Sequence, residues 1–131
     1  MLLVDTSVWV RHFAQKNTAI EEARRKNRLL THPFVIGELA CGALLDRRRI
    51  LEEMSLLPQA VEATHAYVRH FVEREKIWGR GIGWIDAHLL ASALQSGCRL
   101  WTLDIALARI ALRLRIAYAG NTKAASRCGR S

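Results

Sequence analysis

Four acidic residues in this chain could do chemistry together. Asp5 closes the apolar run "MLLV", Glu38 sits in "IGELACG", Asp86 in "WIDAHLLASAL" and Asp104 at the end of "LWTLD". A carboxylate beside a core is costly to desolvate unless a cation, a capping role or a metal compensates it. Four of them in one crevice would repel, raise one another's pKa values and destabilise the fold unless cations sat between them. Mg²⁺ or Mn²⁺ suits such a set, because these hard ions take oxygen ligands and keep several waters while bridging carboxylates to phosphates. One such ion, or two, activates a water and stabilises the leaving oxygen in phosphodiester hydrolysis.

Elements must bring these acids together. Leu2 to Val4 reads as a strand, and Asp5-Thr6-Ser7 as the turn and cap of a helix carrying Trp9, Val10 and Phe13. Thr18-x-x-Glu21 has capping-box spacing for a charged helix to about Arg25, followed by a short strand over 28–31. Pro33 opens a third helix that carries Glu38 and ends near Gly42. Asp46 is placed to cap a helix to Leu57, and a longer helix follows Pro58 to about Lys76. After the loop of Gly79, Gly81 and Gly83 come a helix from Trp84 to Gly97, a strand ending at Asp104, a helix to about Leu114 and a weak strand over 115–118.

Strands alternating with helical patterns predict an α/β fold: a three-layer α/β/α sandwich around a parallel sheet of four to five strands. In such sheets the working crevice lies outside the C-terminal ends of the strands. Asp5 and Asp104 follow strands, Glu38 lies a turn into the helix after the second strand, and Asp86 starts the helix before the Asp104 strand, so all four reach one crevice. Each also has a plainer reading. Asp5 and Asp104 can cap the helices that follow them, and Asp86 suits a first turn. The apolar neighbours Val35, Ile36, Leu39 and Ala40 place Glu38 near an apolar face, where an unpaired charge is costly.

The 131 residues fit one domain, here assigned to 1–120, with 121–131 as a basic, flexible tail. The net charge of +8 favours a polyanionic partner, although a merely solvated surface has the same composition. No apolar stretch reaches the roughly 20 residues of a membrane helix, and Cys41, Cys98 and Cys128 form no paired motif, so the expectation is a soluble cytoplasmic protein with reduced thiols. Trp9 and Trp101 read as core, whereas Trp78 and Trp84 flank the glycine loop. Arg80 between them is the candidate phosphate or base contact. His88 reads as a polar contact and His32 as a turn residue.

The four acidic motifs, in this order over nearly the whole chain, resemble those of PIN-domain ribonucleases, and most of all VapC toxins of prokaryotic toxin–antitoxin modules. The resemblance implies an Mg²⁺- or Mn²⁺-dependent endoribonuclease acting on RNA, inhibited by a small VapB-like antitoxin and usually a homodimer. It puts the family's acids on Asp5, Glu38, Asp86 and Asp104, with supporting hydroxyls at Thr6 and Thr102. Many members carry a further Asp or Asn two residues after the last acid. That position is Ala106 here, which leaves a second metal site short of a ligand. Two rival readings stand beside this one. An acid-cluster phosphatase suits an Asp after strand one, though Ser7 replaces the second Asp such enzymes carry. A non-catalytic basic nucleic-acid-binding module would use the acids only as caps.

Overall fold

The computed structural model describes residues 1–119, and the basic tail expected over 121–131 lies outside them. Strand β1 (Leu2–Val4) pairs in parallel with β2 (Leu29–Leu30) on one side and β3 (Arg99–Trp101) on the other, in the order β2-β1-β3. Leu3 lies opposite both Leu30 and Leu100. Successive strand residues point to opposite faces, so the burial of consecutive residues, Leu3 with Val4 and Leu29 with Leu30, requires cover on both. Helices supply it, in the three-layer arrangement expected.

The sheet has three strands among the described residues, not four to five. Single parallel bridges, Thr31 to Gln59 and Leu100 to Ala117, extend its two edges. The strand expected over 115–118 shrinks to one rung because Arg115 is left-handed (φ 62°), which spends that residue on ending the preceding helix.

Helices α1 (Thr6–Ala14), α2 (Thr18–Arg25), α3 (Pro33–Cys41), α4 (Arg47–Ser55), α5 (His65–Glu75), α6 (Trp84–Ser96) and α7 (Ile105–Arg113) are the helices of the described residues. Their starts correct three expectations. Asn17, not Thr18, caps α2, its side chain accepting from the N–H groups of Ala19 and Ile20. Asp46 precedes α4 in a left-handed conformation, makes no capping bond and instead pairs with Arg49 at 3.4 Å. Helix α5 begins only at His65, because the segment after Pro58 is drawn to the sheet edge through Ala60 N–H to Thr31 O, and Thr64 supplies the cap. No helix among the described residues is long and apolar enough to cross a membrane.

Candidate active site

The parallel sheet turns the C-terminal ends of all its strands to one edge, and the acids follow from there. Asp5 comes directly after β1, and its backbone N–H donates to Trp101 O, which ties it to the end of β3. The residue is buried, 6% exposed, and both of its carboxylate oxygens accept hydrogen bonds. Oδ1 accepts from the Thr6 N–H at 2.8 Å, while Oδ2 accepts from the hydroxyls of Thr102 at 2.6 Å and Ser7 at 2.9 Å. Thr6 also donates its hydroxyl to Glu38 Oε1 at 2.8 Å, so one residue of α1 links the carboxylates of Asp5 and α3. Glu38 is exposed, not near the apolar face as its neighbours suggested: Val35 and Leu39 turn inward on α3 and leave Glu38 facing solvent.

Asp104 caps α7 by accepting from the Leu107 N–H at 2.9 Å, and its own N–H donates to Thr102 Oγ1 at 3.0 Å. Asp86, in the first turn of α6, accepts from the Gly83 N–H at 3.2 Å. Burial pushes the Asp86 carboxyl above its ordinary value. The Gly83 bond opposes this, and the charges of Asp5, Asp104 and Glu38 each add to the rise. Hydrogen bonds through Thr6 and Thr102 thus join Asp5 to Glu38 and Asp104, and Asp86 lies within electrostatic reach of all three. Capping is real for Asp5, Asp86 and Asp104, but it gives no account of Glu38 or of bringing four like charges together.

The side chains hydrogen-bonded around Asp5, Glu38 and Asp104 are hydroxyls, which with the carboxylates offer the oxygen ligands that a hard divalent ion takes. Among the described residues no three His, Cys, Asp or Glu side chains converge into a ready-made cage. An ion that keeps several waters and binds through one or two carboxylates plus substrate phosphate needs no such cage.

Ser7, expected in the turn and cap before α1 and not among the site residues, belongs to the site. Its hydroxyl donates to Asp5 Oδ2 and accepts from the Leu103 N–H at 3.1 Å, joining α1 to the segment that delivers Asp104. The signal was the Asp-Thr-Ser spacing, which turns two consecutive hydroxyls toward different acids.

Arg80 lies in an exposed loop, where its Nε donates to Lys76 O at 2.8 Å. Gly81 beside it has φ 83°, and a methyl group there would meet Ala106 Cβ at 3.5 Å. The loop thus rests on the first turn of α7, two residues beyond Asp104. Trp9 and Trp101 are buried, and Trp78 and Trp84 are 57% and 42% exposed, as expected from their places in the sequence. His88 shares a hydrogen bond with His65 at 3.0 Å within a ring cluster including Phe34 and Trp84. His32 is buried and caps α3 by accepting from the Phe34 N–H.

The sequence profile of the PIN domain matches residues 2–112. Over 105 residues the chain is 43% identical to Ribonuclease VapC32 of Mycobacterium tuberculosis, in strains H37Rv and CDC 1551 alike, an alignment covering 79% of this chain and 85% of that protein. An acidic crevice at the C-terminal edge of a parallel sheet, a domain match over most of the chain and close identity to a named ribonuclease agree: this chain belongs to the PIN-domain family and, within it, to the VapC ribonucleases.

Proposed function

We propose that this protein is an endoribonuclease toxin that hydrolyses RNA phosphodiester bonds with Mg²⁺ or Mn²⁺ held by Asp5, Glu38, Asp86 and Asp104. The observation that carries the reading is the hydrogen-bonded linkage of Asp5 to Glu38 through Thr6 and to Asp104 through Thr102, with Asp86 near enough for its carboxyl to be raised by all three, an assembly of like charges that capping does not require. When bound, the ion supplies an activated water and neutralises charge on the scissile phosphate and leaving oxygen.

The chain's own side chains do the positioning. Thr102, Ser7 and the Thr6 N–H fix both oxygens of Asp5, and the Thr6 hydroxyl fixes Glu38. Residues locked in this way need no reorganisation when charge develops. Arg80, on the loop that rests against α7, holds a substrate phosphate or base near Asp104. Ala106 contributes no oxygen, which favours a single strongly held ion.

A VapB-like antitoxin covers the crevice and its arginines, keeping a cytoplasmic nuclease from host RNA, and the toxin self-associates as a homodimer. Residues 1–120 form the nuclease unit, with 121–131 as a basic extension. Incubating purified protein with RNA in Mg²⁺, Mn²⁺, Ca²⁺ or excess EDTA tests the central reading. Cleavage in the first two and little in the others is expected, and undiminished cleavage in EDTA would overturn it. Light scattering showing a strict monomer at micromolar concentration would remove the dimer.

A further inference from the structure

A cavity of about 810 Å³ opens at the other edge of the sheet, where the strands begin, and Arg28, Arg99 and Arg115 line it with no carboxylate among the described residues of its walls. We infer that this cavity is a second binding site for RNA, in which the three guanidinium groups hold backbone phosphates of a strand whose scissile bond lies at the acidic edge. The inference rests on the ribonuclease reading above.

The arginines arrive by one repeated device. Helices α2, α6 and α7 each end at a left-handed residue: Asn27 (φ 55°), Gly97 (φ 64°) and Arg115 (φ 62°). The chain then turns toward the sheet, bringing Arg28 and Arg99 to the cavity at the first two ends, while Arg115 is itself the turning residue at the third. Arginine is poorly suited to that conformation, which costs an ordinary residue about 1–2 kcal/mol that glycine avoids.

Among the described residues none of the three forms an ion pair. Glu22, which senses Arg28, is bonded to Lys26 at 3.0 Å and lies 3.9 Å from Arg25. Arg99 donates one N–H to Ala117 O at 3.1 Å, leaving the rest of its fork free for a ligand. Three like charges around one opening repel unless an anion joins them, and planar guanidinium forks match phosphate oxygens in paired hydrogen bonds. Leu2, Leu112 and the half-buried Tyr118 ring supply the apolar floor on which a sugar or base can rest.

The test compares wild type with the Arg99→Gln/Arg115→Gly double variant on a tetranucleotide, too short to leave the acidic crevice, and on a long stem-loop RNA. Binding is read by fluorescence anisotropy in Ca²⁺, and cleavage by kcat and KM in Mg²⁺. Arg115→Gly alone should melt no lower than wild type, since glycine accepts the left-handed turn, and this controls for folding. The double variant should bind the long RNA several-fold more weakly, with its log–log salt slope reduced by about two. Its kcat on either RNA and its KM on the tetranucleotide should match wild type.

Equal effects on both RNAs, or on neither, would overturn the inference. So would an adenosine monophosphate or acidic-peptide titration that weakens in the variant while long-RNA binding does not, because the cavity would then serve a free nucleotide or a protein. If wild type cuts no RNA, the nuclease reading fails, whereas the length-dependent loss of binding still decides this site.

Discussion

Thr102, at the end of β3, donates its hydroxyl to Asp5 Oδ2, at the end of β1, across 2.6 Å. The same oxygen of Thr102 accepts the N–H of Asp104 at 3.0 Å. One hydroxyl thus orients one acid and anchors the backbone of another, and it can do so only because β1 and β3 are adjacent and parallel. Removing it should loosen both acids without touching either.

Thr102→Val keeps the shape and removes the hydroxyl, so Asp5 and the Asp104 N–H each lose a partner. The variant should lose about 1–3 kcal/mol of stability and about 10- to 100-fold in metal affinity or cleavage rate. Thr102→Ser should restore most of both. Calorimetric Mn²⁺ titrations with denaturant melts check this, and wild-type metal affinity in the valine variant would contradict it.

Asp86→Asn should stabilise the metal-free protein at neutral pH. The folded Asp86 carboxyl lies above its ordinary value, so between the unfolded and folded pKa values the native state holds more protons than the unfolded chain. Stability then falls as pH rises through that window, and the deficit persists above it. Removing the charge removes the deficit, while the amide oxygen still accepts from Gly83. Melting curves in EDTA should therefore show a higher midpoint for Asp86→Asn than for wild type, with the order reversed in excess Mn²⁺. A lower midpoint in EDTA would mean that capping dominates.

The histidines predict an acid limit of the opposite sense. Burial lowers the pKa values of His32 and His88 below 6.5, and the charge of His65 lowers His88 further. Their contribution is present above the unfolded value and is lost as pH falls through the folded values. Wild type should lose stability on acidification below about pH 6.5, and His88→Leu should show a shallower loss. Identical slopes would exclude the His65–His88 bond as a source.

Much of this architecture was legible in the sequence, and the failures have physical causes. The four acids and the order of elements followed from apolar periodicity and from charges placed where desolvation penalises them. Helix starts were less legible where two capping residues compete, as Asn17 and Thr18 do, or where a long-range bridge such as Thr31 to Gln59 outbids local helix formation. Glu38 was misplaced because α3 is apolar around much of its circumference, which leaves local periodicity unable to say which face turns inward. The bond from Leu103 to Ser7 and the arginine cavity were invisible because each depends on segments that meet only after the sheet assembles.

Gly81→Ala separates loop shape from acid chemistry. The added methyl meets Ala106 only at ordinary contact distance, so the cost comes from the left-handed backbone and should be about 1 kcal/mol, confined to the loop that carries Arg80. The global melt should barely move while KM for RNA rises, an effect Arg80→Gln should reproduce with kcat little changed. Steady-state kinetics on both variants checks this, and an unchanged KM in both would remove Arg80 from the substrate contact.

The most direct measurement is RNA cleavage by Asp5→Asn in Mg²⁺ and Mn²⁺, run beside thermal melts with and without the ion. Asn keeps the size of Asp and much of its capping capacity but loses the charge. If Asp5 holds the metal, the variant should fold, bind RNA, gain no thermal stability from the ion and cut nothing. If Asp5 is only a cap, stability falls by up to about 1 kcal/mol and cleavage drops only in proportion to unfolding. A folded Asp5→Asn protein that still cuts RNA at the wild-type rate would show that Asp5 holds no catalytic metal.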